Sequence, residues 1–305
     1  MSMMRGWALT GITSVLVACG GGGSSGGASP DAGKVYTLED MAVQAYWLQR
    51  YVVDTSRESI FIFLSPFLDR PYPQPYDCTE GGGRTLQSIE VESYYLSGGT
   101  LAGERGFYDH CAPTPDSELH GRYEVADHDP GFISAGESPD KPLMLEDDQG
   151  SLWHYGRGEQ CNDCTSINGL VTHEMRLRLD TTIVEEGDRS VIRYGQDNEP
   201  FVLRWKHDAP GSGQSTLWMD GVVGVQFNDC RVGPTRFRVP DEATAPVRAA
   251  GDFSSGEMEL TAGATVATVH YAPGEITVVS AGNSETFTIE QLRVELLNRC
   301  PGVPL

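Results

Sequence analysis

The sequence predicts a mainly β protein: an antiparallel β-sandwich or barrel, preceded by one helix and stapled by disulfides. Three observations predict it. Short stretches in which apolar and polar residues alternate recur from about residue 89 to 289. Turn-forming pairs such as Asp220-Gly221, Pro273-Gly274 and Gly282-Asn283 separate them. Six cysteines, at 78, 111, 161, 164, 230 and 300, form an even set once Cys19 is put aside for a reason given below.

Taken in order, the first element is the helix. Thr37-Leu38-Glu39-Asp40 has the form of a helix start, and Leu38, Met41, Ala42, Ala45, Tyr46, Leu48 and Val52 recur at helical spacing over 38–53. Tyr46, Trp47 and Tyr51 belong to its packing face. Residues 60–64 (IFIFL) have the length and composition of a buried strand, and a Pro-rich loop follows over 70–76.

Alternation then takes over. Ile89, Val91 and Tyr95 face away from Glu90 and Glu92, and Phe201, Leu203 and Trp205 face away from Arg204 and Lys206. The longest case sets Val171, His173, Met175, Leu177, Leu179 and Ile183 against Thr172, Glu174, Arg176, Arg178, Asp180 and Thr182, which implies a bent strand or a barrel wall. Further strands are predicted at 123–126, 152–155, 191–194, 222–227, 236–239, 257–260, 265–271, 276–280 and 286–289. Residues 290–297 (EQLRVELL) fit helix and strand equally. The stretch 240–251 is poor in large apolar residues and marks an alternative subdivision. The piece after it is too short to bury a good core unless stapled, so one continuous β domain over 35–305 is the preferred reading.

An oxidising compartment accounts for the cysteines, and closeness in the chain pairs Cys78 with Cys111, Cys161 with Cys164, and Cys230 with Cys300. Cys161-Asn162-Asp163-Cys164 falls in a polar loop between two strand-like segments, which is not the strand-to-helix setting of a redox pair. No second CxxC and no His-x-x-x-His accompanies it, so no metal and no cofactor are predicted.

The N-terminus explains why Cys19 stands apart. Arg5 precedes an apolar stretch over 6–18 (GWALTGITSVLVA) that is too short to span a bilayer as a helix, so residues 1–18 read as a processed export signal. Leu16-Val17-Ala18-Cys19 resembles the lipobox of bacterial lipoproteins. That resemblance implies cleavage before Cys19, lipid attachment to it and anchoring in the cell envelope; Gly20 in place of Asp favours the outer membrane. Residues 20–30 (GGGGSSGGASP) read as a flexible tether, within a segment 19–34 that carries the lipid and lifts the body off the surface.

Charge narrows the partners. The chain carries 43 Asp plus Glu against 22 Lys plus Arg, a net −21, and loss of Arg5 with the signal leaves −22. Such a surface disfavours nucleic acid and anionic headgroups, whose binding depends on neutralising phosphates. Catalytic motifs are wanting. Residues 211–215 (GSGQS) are out of register for a nucleophile elbow. His173-Glu174 has no second His four residues on, and 127–129 (DHD) lacks the remaining ligands of a calcium loop. Glu90 with Glu92, or Asp147 with Asp148, would supply carboxylates for sugar hydrolysis, but nothing singles out two of them. His173, on an otherwise apolar face, is the ligand-binding candidate, with His154 and His207 as companions if the fold gathers them.

The expectation is therefore a membrane-anchored envelope lipoprotein presenting a non-catalytic β-rich domain to an envelope protein, a polysaccharide or a small ligand. The alternatives are an envelope hydrolase acting on polysaccharide or peptide, and a β-barrel carrier of an apolar ligand.

Overall fold

Helix α1 (Leu38–Ser56) starts where its capping signal lies. The Asp40 N–H donates to the Thr37 hydroxyl at 3.1 Å and the Thr37 N–H to the Asp40 carboxylate at 2.9 Å, so amides at the helix start are satisfied reciprocally. Met41, Ala42, Ala45, Tyr46 and Trp47 are buried. The computed structural model describes residues 33–56, 77–96, 99–126, 130–146, 150–167, 170–185, 188–196, 199–207, 214–249 and 252–303. The signal, Cys19, the predicted strand at 60–64, the loop at 70–76, residues 127–129, Asp147 and Asp148 lie outside the described residues.

Among the described residues, seventeen strands follow in one antiparallel sheet. β1 (Gly81–Glu92), β2 (Thr100–Thr114) and β3 (Ser117–Ala126) pair in succession. β4 (Gly131–Ala135) and β5 (Leu143–Glu146) lie end to end between β3 and β6 (Gly150–Ile167). β6 pairs with β7 (Leu170–Glu185), and β8 (Asp188–Tyr194) and β9 (Phe201–His207) lie end to end between β7 and β10 (Gln214–Phe227). β11 (Cys230–Arg238) and β12 (Val247–Ala249) both pair with β10; β12 continues to β13 (Asp252–Ser255) and β11 to β14 (Glu257–Ala262). β15 (Thr265–Ala272), β16 (Glu275–Ser280) and β17 (Asn283–Thr288) complete the meander. Among the described residues β1 pairs with β2 and β17 with β16, so the antiparallel pairing runs without interruption from β1 to β17.

Period-two alternation sorts the side chains. Met175, Leu177 and Leu179 of β7, Leu203 and Trp205 of β9, and Leu217, Met219, Val223 and Val225 of β10 point to one face, where they join α1 in a single apolar cluster. A smaller cluster of Val91, Leu101, Ala126 and Phe132, with Ile89 and Leu96 against it, sits apart from that core. It holds the turn after β1 over the sheet.

Among the described residues, two of the pairs expected from chain proximity are joined: Cys78–Cys111, with Cα atoms 4.8 Å apart, and Cys230–Cys300, at 5.3 Å. Cys161 is buried and disulfide-bonded, while the side chain of Cys164 lies outside the described residues. The Cys-x-x-Cys segment is not in a loop as predicted. It runs within β6, where pairing with β7 shifts register between Cys161 and Thr165. An irregularity of this kind interrupts the ladder without ending the strand.

The ambiguous C-terminal segment is helix α2 (Ile289–Arg299). Thr288 and Gln291 form a reciprocal capping box there, a signal that decides for helix where periodicity does not. Arg299, in its last turn, pairs with Asp40 at 2.5 Å and Glu39 at 3.2 Å, clasping α2 to the start of α1. Just ahead of α1, the Lys34 carbonyl accepts from the Ala264 N–H at 2.8 Å, and the Tyr36 N–H donates to the Thr265 hydroxyl at 2.8 Å.

The clasp gives a pH dependence. Partial burial works against the Asp40 charge, but hydrogen bonds from Thr37 and Arg299 outweigh it and hold the carboxyl below its usual range. A folded pKa below the unfolded value contributes stability that is complete above the unfolded value, about 3.9, and is lost as pH falls through the folded one. Thermal unfolding of wild type and Asp40→Asn is therefore expected to differ at pH 6 and to converge in acid below about pH 4. A difference that persists unchanged at pH 2 would remove this account of the clasp.

Candidate functional site: an arginine cleft over buried glutamates

The histidines that the sequence nominates are not gathered. His154 is buried, its Nδ1 2.9 Å from the Thr181 hydroxyl on the neighbouring strand. His173 stacks on Trp205, with ring centroids 5.3 Å apart. Thr181, opposite His154, lies eight residues along β7 from His173, roughly 26 Å at strand rise, so the two imidazoles cannot share a small ligand. His207 ends β9 and its side chain lies outside the described residues. Of the nominated acids, Glu90 and Glu92 are exposed on β1 and define no cleft.

The other face of β6, β7 and β9 carries a charge ladder. Strand alternation puts Arg157 and Glu159 of β6, Glu174, Arg176 and Arg178 of β7, and Arg204 of β9 on that one face. Register then sets Glu159 beside Arg176 and Glu174 beside Arg204. It also sets Arg157 directly opposite Arg178. Like charges in that position are unfavourable by about 0.2–1 kcal/mol, and such breaches of local preference concentrate at functional sites.

Both glutamates are fully buried, contrary to the solvated face that alternation alone implies. The turn after β1 buries them. Glu159 accepts from the Ser93 hydroxyl at 3.0 Å, the Tyr94 N–H at 2.8 Å and Arg157 Nε at 3.1 Å. Arg157 Nη2 also bonds Glu159, and it donates to the Glu92 carbonyl at 2.5 Å. Glu174 accepts from Arg176 Nε at 2.6 Å and from Arg204 Nε. Buried carboxylates are tolerable only with such partners. Burial works against the Arg176 charge, yet Glu174 overrides it and raises the guanidinium pKa above its ordinary value.

Aromatic rings complete the frame. Arg157 lies 4.8 Å from the Tyr94 ring centre and 4.7 Å from that of Phe132, and Arg176 lies 5.4 Å from that of Tyr95. The Tyr95 hydroxyl donates to the Glu174 carbonyl at 3.3 Å. Burial, reinforced by the Glu174 charge, pushes the Tyr95 phenol well above its ordinary range, so it stays neutral.

Beside this network opens a cleft of about 300 Å³, lined by Arg157, Arg176, Arg178, Tyr94, Tyr155 and Glu137 among others. That volume is at the small end for ligand sites. Glu137 is paired with Lys141 at 3.4 Å. The arginines line the cleft, whereas Glu159 and Glu174 are shielded from it and ion-paired, which suits them to orienting guanidinium groups and not to proton transfer with a substrate. Gly156 makes the close packing feasible: its φ is +133°, and a Cβ there would come within 2.1 Å of the Arg178 carbonyl oxygen.

No protein-family model matches the chain, and no curated protein or solved structure matches it either. The geometry of the cleft is therefore the observation on which a functional reading stands.

Sequence reasoning passed over this site because its arginines and buried glutamates sit in ordinary alternating strands. A signal was present. Arg-x-Glu at 157–159 and Glu-x-Arg-x-Arg at 174–178 place five charges at period two in strands that turn out to be neighbours.

Proposed function

We propose that this chain is a membrane-anchored envelope lipoprotein whose β-rich body binds an anionic ligand, with carboxylate or phosphate groups, in the cleft formed by Arg157, Arg176 and Arg178. The observation that carries the reading is the convergence of three guanidinium groups on one small cleft in a chain of net charge −21. Guanidinium groups match carboxylate and phosphate oxygens with paired N–H donors. Buried Glu159 and Glu174 hold two of them in fixed orientation, so little side-chain freedom is lost when a ligand arrives. Tyr94 and Tyr155 add flat apolar surface of the kind a sugar or other ring packs against. The lipobox-like Leu16-Val17-Ala18-Cys19 supports the anchor, and the domain is non-catalytic in this reading.

Arg178 is the residue to test, because it is exposed, whereas Arg157 and Arg176 hold the buried glutamates. The full chain in detergent micelles is titrated calorimetrically with galacturonate oligomers and, separately, with inorganic phosphate. Binding of one of them is expected, weakened by added salt and reduced about 10- to 100-fold in Arg178→Glu, the loss of a charge-assisted hydrogen bond. Binding unaffected by Arg178→Glu, or no binding of either anion, would overturn the reading of the cleft. The anchor is tested separately: Cys19→Ser is expected to move the protein from the membrane fraction to the soluble fraction, and retention at the membrane would exclude lipid as the tether.

A further inference from the structure

A second site, independent of the cleft, lies where β2 and β3 fall out of register. Tyr108 pairs with Gly121 and Cys111 with Leu119, so two residues of β2, Asp109 and His110, oppose the single residue His120 of β3. That is a β-bulge, a feature that re-aims side chains and recurs beside functional sites. His110 takes φ +48°, a left-handed conformation uncommon for any residue but glycine. The surroundings hold it there. The Cys78–Cys111 disulfide pins the next residue, and Gly82 of β1 sits so close that a Cβ on it would lie 1.8 Å from the His110 carbonyl oxygen. Strain maintained by several constraints at once is the kind that marks a working site.

The bulge assembles a recognisable donor set. One ligand atom from each of Asp109, His110 and His120 lies within 4.8 Å of the other two, with the two imidazole centroids 4.6 Å apart. Nδ1 of His120 is shielded from solvent and has no hydrogen-bond partner among the described residues. Nδ1 of His110 is taken by the Glu118 carboxylate, which leaves Nε2 as its donor atom. A carboxylate on the far nitrogen is the usual way a metal-binding imidazole is oriented.

We propose that Asp109, His110 and His120 form a binding site for a divalent transition metal of the zinc class, with Glu118 as the positioning residue. Two imidazoles and a carboxylate are ligands such ions accept, at about 2.0–2.2 Å, and the exposure of His110 and Asp109 leaves coordination positions for water or a ligand. The donors would close by roughly an ångström on binding, which exposed side chains achieve by small rotations. Sequence inspection for ligand pairs at fixed spacing does not detect the site, because its histidines are ten residues apart and meet only through strand pairing.

The test uses untagged full chain in detergent, stripped with chelator, with ZnCl2 as the probe. Calorimetry is expected to show uptake at equimolar stoichiometry. In His110→Ala and His120→Ala it is expected to be lost, and in Glu118→Gln to weaken about 10-fold or more. Far-UV circular dichroism checks that each variant keeps its fold. Nitrogen-resolved NMR of the wild-type imidazoles keeps the question answerable if a variant does not fold: zinc is expected to shift the His110 and His120 ring signals ahead of the chain's other histidines. No zinc uptake, or uptake in which these two rings do not move, would overturn the proposal and leaves the anion-binding reading untouched.

Discussion

Replacing Arg176 and Arg204 together by methionine is expected to destabilise the protein by about 3–5 kcal/mol, because it leaves the Glu174 carboxylate fully buried without a cation. Arg157 does not rescue it, since its guanidinium is engaged with Glu159 and the Glu92 carbonyl. Apolar volume is not the cause, as methionine fills much of the space that the arginine stems occupied. Urea unfolding is the measurement, with an unchanged slope and a lowered midpoint expected; in a thermal scan the shift should be on the order of 10 °C. Adding Glu174→Leu to the pair is expected to recover most of the loss, since an apolar trio can replace a buried ionic one at little net cost. A double variant within about 1 kcal/mol of wild type would mean that Glu174 takes up a proton or reaches solvent easily. The turn after β1 would then not seal the network.

Removing the Cys230–Cys300 disulfide, as Cys230→Ala with Cys300→Ala, is the other large effect expected. The bridge closes a loop of 70 residues, which corresponds to about 4 kcal/mol of lost unfolded-state entropy in the chain-constraint description. The Cys78–Cys111 bridge, with a sequence separation of 33, should contribute only about 0.7 kcal/mol less, because the cost of closure grows with the logarithm of length. Denaturant midpoints of the two double variants test both statements. Cys300 also caps α2, donating its N–H to the Leu296 carbonyl. Its release should therefore make α2 the first segment to exchange its amide hydrogens. Equal protection of α2 with and without the bridge would show that the Arg299 clasp and the burial of Leu292 and Leu296 suffice to hold it.

How far the sequence reaches can be judged from particular residues. Helix α1 was legible because capping and 3.6-residue periodicity agree there, and β7 because its alternation is long and strict. β2 was not legible. A bulge interrupts its period at Asp109 and His110, and the glycines of β1 that accommodate it carry no hydrophobic pattern at all. The same reason hid both sites. Arg157, Arg176 and Arg178 become one cleft only through the register of β6 on β7, and His110 and His120 become neighbours only through the mispairing of β2 on β3. The order of the strands was also beyond reach, since alternation specifies which face a residue occupies and not which strand lies beside it.

The entry of the chain into the body has a mechanical consequence. If the N-terminus is held at a surface, any drag on the body is delivered at Lys34 and Tyr36, where two hydrogen bonds to Ala264 and Thr265 take the first load. Behind them stands α1, packed on β10, β11 and β14 to β17 and tied through Arg299 to α2, whose end is crosslinked to Cys230. Force is thus borne by the second half of the sheet and stopped by a covalent link. The arginine cleft, built on β6 and β7, lies off that load path and would keep its shape while the tether is pulled.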